Sequence, residues 1–498
     1  MIQGTGSHVG KSVLAAGLCR ALANRGLRVR PFKPQNMSNN AGLAALADGA
    51  GEGLGGTMGE IGRAQVLQAQ ACRVAPTADM NPVLLKPEGA SRAQVVVQGR
   101  AWRTASAADY RGLRGELLPR VLESFDRLGR DADVVIVEGA GSPAEINLRP
   151  GDIANMGFAL AARVPVVLAG DIDRGGVLAA LIGTWHLLAA EERALVGGFI
   201  VNKFRGDPAL FADGPSAVTA ATGWPCLGVV PHMAAVARLP AEDSVSLDSS
   251  APAFMKKAAG KILIAVPRLP RISNFDDLDP LAAEDNVELI VVPPGRPLPR
   301  DADAVLLAGS KATLADLAAL RAEGWDIDIA AHARAGGWVI GLCGGFQMLG
   351  ARIEDPHGVE GPPGAAKGLG LLDVDTTIGG AKTLKPATGC LAGGDATFSG
   401  FEMHMGETTG PGLARPWLAL NGGGKDGAVS ADGRVMGGYV HGLFAEDSFR
   451  RAFLARIGAG AGGDSFAART DAALDEIAAI LETHLDVGAL LALAGKRA

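Results

Sequence analysis

The first twelve residues constrain the fold more than any other part of the chain. A glycine-rich loop at 4–12 (GTGSHVGKS) leads directly into an amphipathic run closed by Gly26, which predicts a strand, a loop and a helix in succession. Backbone N–H groups and the helix dipole of such a unit bind phosphate. The loop is one residue longer than the usual phosphate loop. We expect Gly4, Thr5 and Gly10 to cradle the phosphates of ATP, Lys11 to neutralise them and Ser12 to reach Mg²⁺.

Apolar runs in the first half alternate with helical patterns and end in polar residues, which predicts a doubly wound parallel sheet. Ligands bind at the carboxyl ends of such strands. Lys33 follows one run and is a candidate phosphate ligand. Glu138 follows another and is a candidate Mg²⁺ ligand, although a helix N-terminal acid is the alternative. Asn202 suits the edge of a nucleotide base or, equally, a helix cap. Glu60, in a predicted helix after a loop or lid at 37–59, is a third candidate metal ligand.

The second half contains a cysteine on a predicted sharp corner. Residues 336–350 (GGWVIGLCGGFQMLG) read as a buried strand, a turn carrying Cys343 and the start of a helix. A thiol beside a helix N-terminus is favoured as thiolate. A later strand ends at His441, so the two residues suit a nucleophile and its base. The alternative is an inert buried cysteine with a structural histidine. Backbone N–H groups at Gly309 and Gly344 are candidates for an oxyanion hole.

A chain of 498 residues is too long for one ordinary core, so two or three domains are expected. The stretch 238–260 lacks clear periodicity and is the predicted linker between domains at 1–237 and 261–498. Apolar strands resume at 261, a glycine-rich region at 354–433 is predicted to be antiparallel, and a helical tail follows at 471–493. We therefore predict two doubly wound α/β domains, with the tail in the second.

Composition excludes several classes of protein. The net charge of −6 leaves no large basic surface for nucleic acid. Five scattered cysteines form neither a disulfide framework nor a metal-spacing cluster, as in reduced, intracellular proteins. Glycine or charge interrupts the apolar runs before they reach membrane-spanning length. The first residues lead straight into the phosphate loop without a signal peptide. We predict a cytoplasmic protein with no nucleic-acid or membrane partner, and we make no prediction of its oligomeric state.

Longer motifs extend through both halves. They lie at 33–38 (KPQNMS), 60–65 (EIGRAQ), 79–87 (DMNPVLLKP), 138–148 (EGAGSPAEINL), 151–157 (GDIANMG), 171–177 (DIDRGGV) and 400–406 (GFEMHMG). With these motifs the chain resembles the cobyric acid synthase family along nearly its whole length. The first half is also similar to dethiobiotin synthetase, a P-loop ATPase-type fold. The second half is similar to class I glutamine amidotransferases, whose sheet is flavodoxin-like.

The resemblance implies an ATP- and Mg²⁺-dependent ligase that takes nitrogen from glutamine, with Cys343 as nucleophile and His441 as base. The implied substrate is a corrinoid, adenosylcobyrinic acid a,c-diamide, amidated at its b, d, e and g side chains to give adenosylcobyric acid. One alternative is the related synthase that amidates the a and c positions. Another is a P-loop nucleotide-switch protein, which would hydrolyse no glutamine.

The sequence departs from the class I glutaminases at one catalytic position. Most of them place a glutamate two residues after the histidine, where this chain has Leu443. A carboxylate normally orients the imidazole and stabilises its charged form. We therefore expect a third triad member that is missing or supplied from elsewhere, with Glu446 as a candidate. The expected consequence is a slower or more substrate-dependent glutaminase.

Overall fold

The computed structural model describes residues 1–47, 58–88, 92–240, 257, 260–380, 382–460 and 463–495. Most of the predicted linker at 238–260, and residues 48–57 of the predicted lid at 37–59, lie outside these ranges. The described residues form two α/β domains, each built around a mainly parallel sheet, as predicted. In these ranges no helix combines the length and the apolar character needed to cross a membrane.

The main sheet of the first domain is parallel, and its central strands are buried on both faces. The strands of this domain are β1 (Ile2–Gly4), β2 (Val29–Phe32), β3 (Gln35–Met37), β4 (Ala41–Ala45), β5 (Met58–Gly62), β6 (Val83–Pro87), β7 (Arg92–Val97), β8 (Arg100–Ser106), β9 (Val134–Val137), β10 (Val166–Asp171), β11 (Val196–Phe204) and β12 (Cys226–Pro231). Strands β1, β10, β11 and β12 lie side by side, and β9 joins them through a bridge between Ile2 and Glu138. Strand β2 pairs with β9 at the far edge. The carboxyl ends of the strands therefore meet at one edge, where the phosphate loop lies.

Helices cover this sheet and place the loop residues. They are α1 (Lys11–Asn24), α2 (Arg63–Ala71), α3 (Ala107–Arg130), α4 (Met156–Ala162), α5 (Val177–Leu187), α6 (Ala190–Leu195) and α7 (Asp213–Thr222). Helix α1 begins at Lys11, directly after Gly10 in the left-handed region, so the loop turns into the helix at the predicted residue. Helix α2 begins at Arg63, and Glu60 therefore lies in strand β5 and not in the predicted helix.

The first domain also carries a smaller sheet, in the order β3-β6-β7-β8, that the sequence analysis did not predict. We call it the side sheet. Beside it, β4 and β5 pair as an antiparallel hairpin, so the region 37–59 contains strand residues as well as the predicted loop. Adjacent residues such as Leu84 and Leu85 are both buried, because the two faces of the side sheet pack against different partners. That double burial removes the polar–apolar alternation by which strands are recognised.

The second domain has a six-stranded sheet in the order β15-β13-β16-β18-β28-β27, in which only β27 is antiparallel to its neighbour. Its strands are β13 (Ile262–Pro267), β14 (Ile272–Ser273), β15 (Val287–Val292), β16 (Ala304–Leu307), β17 (Gly309–Ser310), β18 (Trp338–Leu342), β19 (Arg352–Asp355), β20 (Gly364–Lys367), β21 (Asp375–Thr377), β22 (Thr383–Leu391), β23 (Thr397–His404), β24 (Glu407–Thr409), β25 (Leu418–Leu420), β26 (Lys425–Asp426), β27 (Ala428–Val429), β28 (Val435–Gly438) and β29 (Val440–His441). The predicted antiparallel region folds as two mostly antiparallel sheets, β20-β19-β21-β24 and β26-β25-β22-β23-β29.

The helices of the second half are α8 (Asp279–Ala282), α9 (Thr313–Ala322), α10 (Trp325–Arg334), α11 (Gly344–Leu349), α12 (Asp447–Arg456), α13 (Phe466–His484) and α14 (Val487–Gly495). The last two form the predicted tail, but they pack on the first domain rather than the second. Leu474, Ile477 and Leu481 of α13 join the core of the first domain. Arg20, buried on α1, forms an ion pair with Asp471. The carboxyl-terminal tail therefore contributes side chains to the hydrophobic core of the amino-terminal domain.

The two domains meet across the side sheet and the hairpin beside it. Leu84 and Val96 of the side sheet pack against Met403 and Phe401 of the second domain. Buried charge adds to this contact, because the Lys86 ammonium lies 2.7 Å from the Glu60 carboxylate. Lys382 of the second domain pairs with the same carboxylate. An ion pair of 2.8 Å joins Arg63 to Asp276 nearby.

Candidate active site

The phosphate loop is closed over its own lysine. Lys11 Nζ donates hydrogen bonds of 2.9 Å to the carbonyl oxygens of both Gly6 and Gly141. A Cβ on Gly4 would lie 2.5 Å from Val9 Cγ2, and Gly10 has a φ of +95°. A close contact therefore favours glycine at the first position, and the left-handed backbone conformation favours it at the second. The structure brings the predicted loop residues into one cradle, and phosphate binding by them remains a prediction.

Glu138 is the residue on which the other predicted side chains converge. Its Oε1 accepts hydrogen bonds from Ser12 Oγ at 2.8 Å and from Lys33 Nζ at 2.7 Å. Its Oε2 accepts one of 2.6 Å from Gln68 Nε2. Strand β9 carries Glu138 to the edge of the sheet beside the phosphate loop. The structure therefore places Ser12, Lys33 and Glu138 together, as their positions after separate strands predicted.

The chemistry of this group fits Mg²⁺ shared with a nucleotide. Mg²⁺ is usually held by one or two protein oxygens together with phosphate oxygens and water. Ser12 supplies a hydroxyl and Glu138 a carboxylate beside the loop. Among the described residues no group of three or more His, Cys, Asp or Glu side chains could hold a metal ion by itself. These two residues would therefore hold the ion only together with the phosphates.

Two predicted residues have different surroundings from those expected. Glu60 does not join Ser12 and Glu138, because its carboxylate is engaged by two buried lysines at the domain interface. Ammonium groups in that position compete with a metal cation, so Glu60 is not placed as a metal ligand. Asn202 is 2% exposed, and its Nδ2 donates to the carbonyl oxygen of Val9 at 2.8 Å. One N–H of its amide therefore secures the phosphate loop, its Oδ1 is buried without a partner among the described residues, and recognition of a nucleotide base by Asn202 remains a prediction.

The cysteine corner has the predicted form. Cys343 stands between β18 and α11 with φ +52° and ψ −109°, a conformation that costs free energy for any residue with a side chain. A Cβ on Gly345 would lie 2.1 Å from the Leu307 carbonyl oxygen, which explains the glycine there. The Cys343 N–H donates to the Gly438 carbonyl at 2.8 Å. Backbone strain, held in place by β28, thus fixes where the thiol lies.

His441 is oriented by a carboxylate that the sequence analysis did not find. Its Nδ1 lies 2.7 Å from Asp277 Oδ2, and the Gly442 N–H donates to Asp277 Oδ1 at 2.6 Å. Leu443 is buried and apolar, whereas Glu446 is exposed at the start of α12. Of the two alternatives, a missing carboxylate or one supplied from elsewhere, the structure shows the second, and Glu446 is not the residue. Asp277, 164 residues before the histidine, fills the position.

The surroundings of His441 favour its charged form. Burial by itself lowers the pKa of His441, but the Asp277 carboxylate and the neighbouring Cys343 thiol together raise it to about 10. At neutral pH the imidazole therefore holds a proton that it can pass to a leaving group. The other ring nitrogen, Nε2, is buried and has no hydrogen-bond partner of ordinary geometry among the described residues. A cysteine, a histidine and an aspartate in this order form a complete nucleophilic site.

The two predicted oxyanion-hole residues lie beside this triad. A Cβ on Gly344 would lie 2.8 Å from the Ser310 backbone nitrogen, so α11 and strand β17 are in close contact. A Cβ on Gly309 would lie 3.5 Å from His441 Cε1. Both glycines thus line the space between the thiol and the imidazole. Donation of their N–H groups to an oxyanion remains a prediction.

Comparison with known proteins agrees with this geometry. Residues 1–247 match the model of the CobQ/CobB/MinD/ParA nucleotide binding domain, and residues 263–449 match the CobB/CobQ-like glutamine amidotransferase domain. The cobyric acid synthases of Sphingopyxis alaskensis and Rhizorhabdus wittichii are each 60% identical to this chain, over 99% of it and 98% of their own lengths. That of Novosphingobium aromaticivorans is 59% identical over 99% of this chain and 97% of its own. The chain belongs to the cobyric acid synthase family.

In this member of the cobyric acid synthase family, two residues of the candidate site were not predicted from the sequence. Gln68 has no signal in the sequence beyond being a polar residue of helix α2, and its bond to Glu138 requires α2 and β9 to come together. Asp277 had one available signal. It follows the first strand of the second sheet, at the end where polar residues serve the site of a doubly wound domain. Its neighbour Asp276 has the same signal, so the sequence would not have separated the two.

Proposed function

We propose that this protein uses ATP to amidate carboxylates on a corrinoid with nitrogen from glutamine. The proposed substrate is adenosylcobyrinic acid a,c-diamide, and the proposed targets are its b, d, e and g side chains. Support comes from the family to which the chain belongs and from two candidate sites of complementary chemistry in one molecule. One site has a phosphate loop with a lysine, and the other has a buried Cys343–His441–Asp277 triad.

In the proposed glutaminase reaction, the Cys343 thiol passes its proton to His441, and the resulting sulfur anion attacks the side-chain carbonyl carbon of glutamine. His441, whose raised pKa keeps it charged at neutral pH, then gives that proton to the leaving nitrogen, and ammonia departs. Water then hydrolyses the thioester to glutamate and restores the thiol. Asp277 holds the ring in one orientation throughout by accepting from Nδ1. N–H groups of Gly309 and Gly344 would receive the developing negative charge on the carbonyl oxygen.

In the proposed activation reaction, a carboxylate of the corrinoid becomes a better electrophile. ATP would supply the phosphoryl group that activates the carboxylate, and Mg²⁺ would offset negative charge on the phosphates. Lys11, fixed over the loop by two carbonyl oxygens, adds a positive charge that needs no reorganisation. Glu138 orients Ser12 and Lys33 beside that lysine. Ammonia from the second domain then displaces the phosphate.

The observation that carries the proposal is the 2.7 Å contact between Asp277 and His441 next to Cys343, because it completes a glutaminase in a chain that also bears a phosphate loop. The direct test is mass spectrometry of adenosylcobyrinic acid a,c-diamide and, in a parallel reaction, of cobyrinic acid, each incubated with the protein, ATP, Mg²⁺ and glutamine. For the a,c-diamide, four successive losses of about one mass unit each, one per carboxylate converted to amide, are expected. Amidation of cobyrinic acid at a and c instead would favour the related synthase. Intact corrinoid, with ATP-dependent assembly and no glutamate formed, would favour the nucleotide switch.

Two substitutions separate the proposed half-reactions. Cys343→Ala should abolish amidation with glutamine but retain it when ammonium is supplied at high pH, since only ammonia production needs the thiol. Lys11→Ala should abolish amidation with either nitrogen source, because it removes charge stabilisation from the activation step. The measurement is corrinoid amide formed with each nitrogen source, beside the wild type. Glutamine-dependent amidation by Cys343→Ala would contradict the assignment of the nucleophile.

A further inference from the structure

An open cavity of about 400 Å³ lies on the side sheet, on the face turned away from the second domain. Its floor is apolar: Pro87 and Ala93 are partly exposed there, over the buried Leu85, Val95 and Ala105. Leu84 and Val96, the neighbours of two of these residues, point the other way and pack against the second domain. Because successive side chains of a strand alternate between faces, the side sheet separates this cavity from the glutaminase site. The cavity therefore belongs to the first domain and its chemistry.

Three arginines surround the apolar floor. Arg92, Arg111 and Arg114 all line the cavity. None of them forms an ion pair within 4 Å with an acid in the described part of the chain. Arg114 is held in place by the carbonyl oxygens of Leu148, at 3.0 Å, and Pro150, at 3.2 Å, and its buried Nε has no partner among the described residues. An apolar floor with unpaired guanidinium groups at its edge suits an apolar ligand that carries several carboxylates.

The cavity continues to the phosphate loop. A smaller cavity of about 110 Å³ shares Gln35, Arg114 and Leu148 with the larger one and is also lined by Gly141. Gly141 is the residue whose carbonyl accepts from Lys11, so the smaller cavity reaches the edge of the loop. It also contains Asp152, whose carboxylate is already engaged by backbone N–H groups, among them that of Gly157 at 2.9 Å. A carboxylate entering here would approach the position of the transferred phosphoryl group.

Large apolar side chains are unusually exposed around the mouth of these cavities. Met37 is 61% exposed, Ile146 is 52% exposed and Leu148 is 48% exposed. Met37 and Leu148 line the larger cavity, and Ile146 belongs to the same short helix as Leu148. Apolar residues grouped in this way at the edge of a pocket mark a binding surface more often than a structural one. These exposed side chains continue the apolar floor outside the cavity. They therefore suit a broad ligand that is only partly enclosed.

We propose that the joined cavities bind the corrinoid, with its ring against the apolar floor and rim. In this arrangement Arg92, Arg111 and Arg114 bind the peripheral carboxylates that are not reacting, while one carboxylate enters the smaller cavity and reaches the phosphate loop. The assignment rests on the proposed function. An open apolar surface with charges only at its edge accepts the ring in several orientations. A single phosphate loop can then serve several carboxylates in turn.

The test compares a double variant, Arg92→Gln with Arg111→Gln, with a matched control, Arg120→Gln. Arg120 lies on the same helix as Arg111, is exposed and does not line either cavity. Binding of adenosylcobyrinic acid a,c-diamide is measured by equilibrium dialysis, with the corrinoid detected by its visible absorption. Losing two charge-assisted contacts should raise the Kd by about tenfold or more, whereas the control should bind as the wild type does. Glutamine hydrolysis and the KM for ATP should be unchanged in all three proteins.

A second readout follows the products. With the double variant, mass spectrometry should show partly amidated corrinoids accumulating, because weaker binding releases intermediates before the fourth amidation. A wild-type Kd in the double variant, or an equal loss in Arg120→Gln, would overturn the assignment of the cavity while leaving the proposed function intact. A wild-type protein that neither binds nor amidates the corrinoid would instead remove the proposed function, and this assignment with it.

Discussion

The imidazole of His441 lies between the Asp277 carboxylate, 2.7 Å from its Nδ1, and the thiol of Cys343. Replacing Asp277 by asparagine removes the negative charge that stabilises the imidazolium and allows the ring to adopt the wrong tautomer. We expect Asp277→Asn to lower glutamine-dependent amidation on the order of 10²- to 10⁴-fold, as in other triads, and to spare ammonia-dependent amidation. Glutamate release measures the first effect, and corrinoid amide formed from ammonium measures the second.

The matched control for that substitution is Glu446→Gln. Glu446 is close to His441 in sequence, but its side chain is exposed. Neither ring nitrogen of His441 forms a hydrogen bond with Glu446. Glutamine hydrolysis by Glu446→Gln should equal that of the wild type. If the two variants were impaired alike, the assignment of Asp277 as the orienting carboxylate would be lost.

The same histidine predicts how stability depends on pH. The pKa of His441 is raised from the usual 6.5 to about 10 in the folded protein, because the Asp277 carboxylate and the hydrogen-bonding Cys343 side chain outweigh the effect of burial. The folded state therefore binds the proton more tightly, and this contribution is complete below pH 6.5 and disappears as the pH rises to about 10. The thermal midpoint of the wild type should exceed that of Asp277→Asn most near pH 6 and least near pH 10. A difference that is constant over this range would contradict the pKa shift.

Among the structural elements, helix α13 links the two ends of the chain. Ile477 and Leu481 pack so closely on α1 that a Cβ on Gly17 would lie 2.7 Å from the first and 2.5 Å from the second. Ile477→Ala leaves a cavity in that core, with an expected cost of about 2–5 kcal/mol. The midpoint of the thermal transition of the first domain should therefore fall by at least roughly 4 °C. Calorimetry of the whole protein measures it.

The control for this element is the same chemical change at an exposed position. Ile327 on α10 is 69% exposed, so Ile327→Ala should alter the free energy of unfolding by no more than about 0.5 kcal/mol. Ammonia-dependent amidation should weaken in Ile477→Ala at temperatures near the lowered transition, because α1 also carries Lys11 and Ser12. Equal midpoints for the two variants would show that α13 does not stabilise the first domain.

Across the whole molecule, a buried ionic contact joins the two domains that carry the candidate sites. Glu60 is fully buried between Lys86 of its own domain and Lys382 of the other. Burial lowers the pKa of Lys382 to about 7, against the opposing effect of Glu60. Glu60→Gln leaves two buried lysines without their anion, and breaking a buried pair in this way costs about 3–5 kcal/mol. We expect the interface to loosen and ammonia to escape, so that more glutamate is formed per corrinoid amide.

The measurement is the ratio of glutamate to corrinoid amide in the same reaction, with ammonia-dependent amidation at saturating ammonium as a check on the first domain. The matched control is Glu354→Gln, which removes an acid from a more exposed pair with Arg352. A surface pair of this kind contributes at most about 1 kcal/mol, so the control should keep the wild-type ratio. An unchanged ratio in Glu60→Gln would show that the buried cluster does not couple the two sites.

Local backbone requirements made the two reaction centres visible in the sequence alone. Gly10 has a positive φ and is adjacent to Lys11. Gly345 lies too close to a neighbouring strand to carry a Cβ, and it is two residues after Cys343. The parallel strands are likewise recognisable from consecutive residues, because a strand buried on both faces requires a continuous apolar run. The family motifs have the same local character, since each lies within a stretch of consecutive residues. Phosphate loop, cysteine corner and doubly wound domains could therefore be predicted.

Contacts between distant segments were decided only by the tertiary structure. Asp277 reaches His441 across 164 residues, and nothing in its local pattern separates it from Asp276. The apolar stripe of α13 predicts burial but not which core receives it, because a hydrophobic surface packs equally well against any complementary one. Glu60 begins the motif at 60–65, yet it forms an ion pair with Lys382 of the other domain. These contacts form when helices and strands that are distant in sequence pack together. The periodicity of the sequence within each element does not specify which elements will pack together.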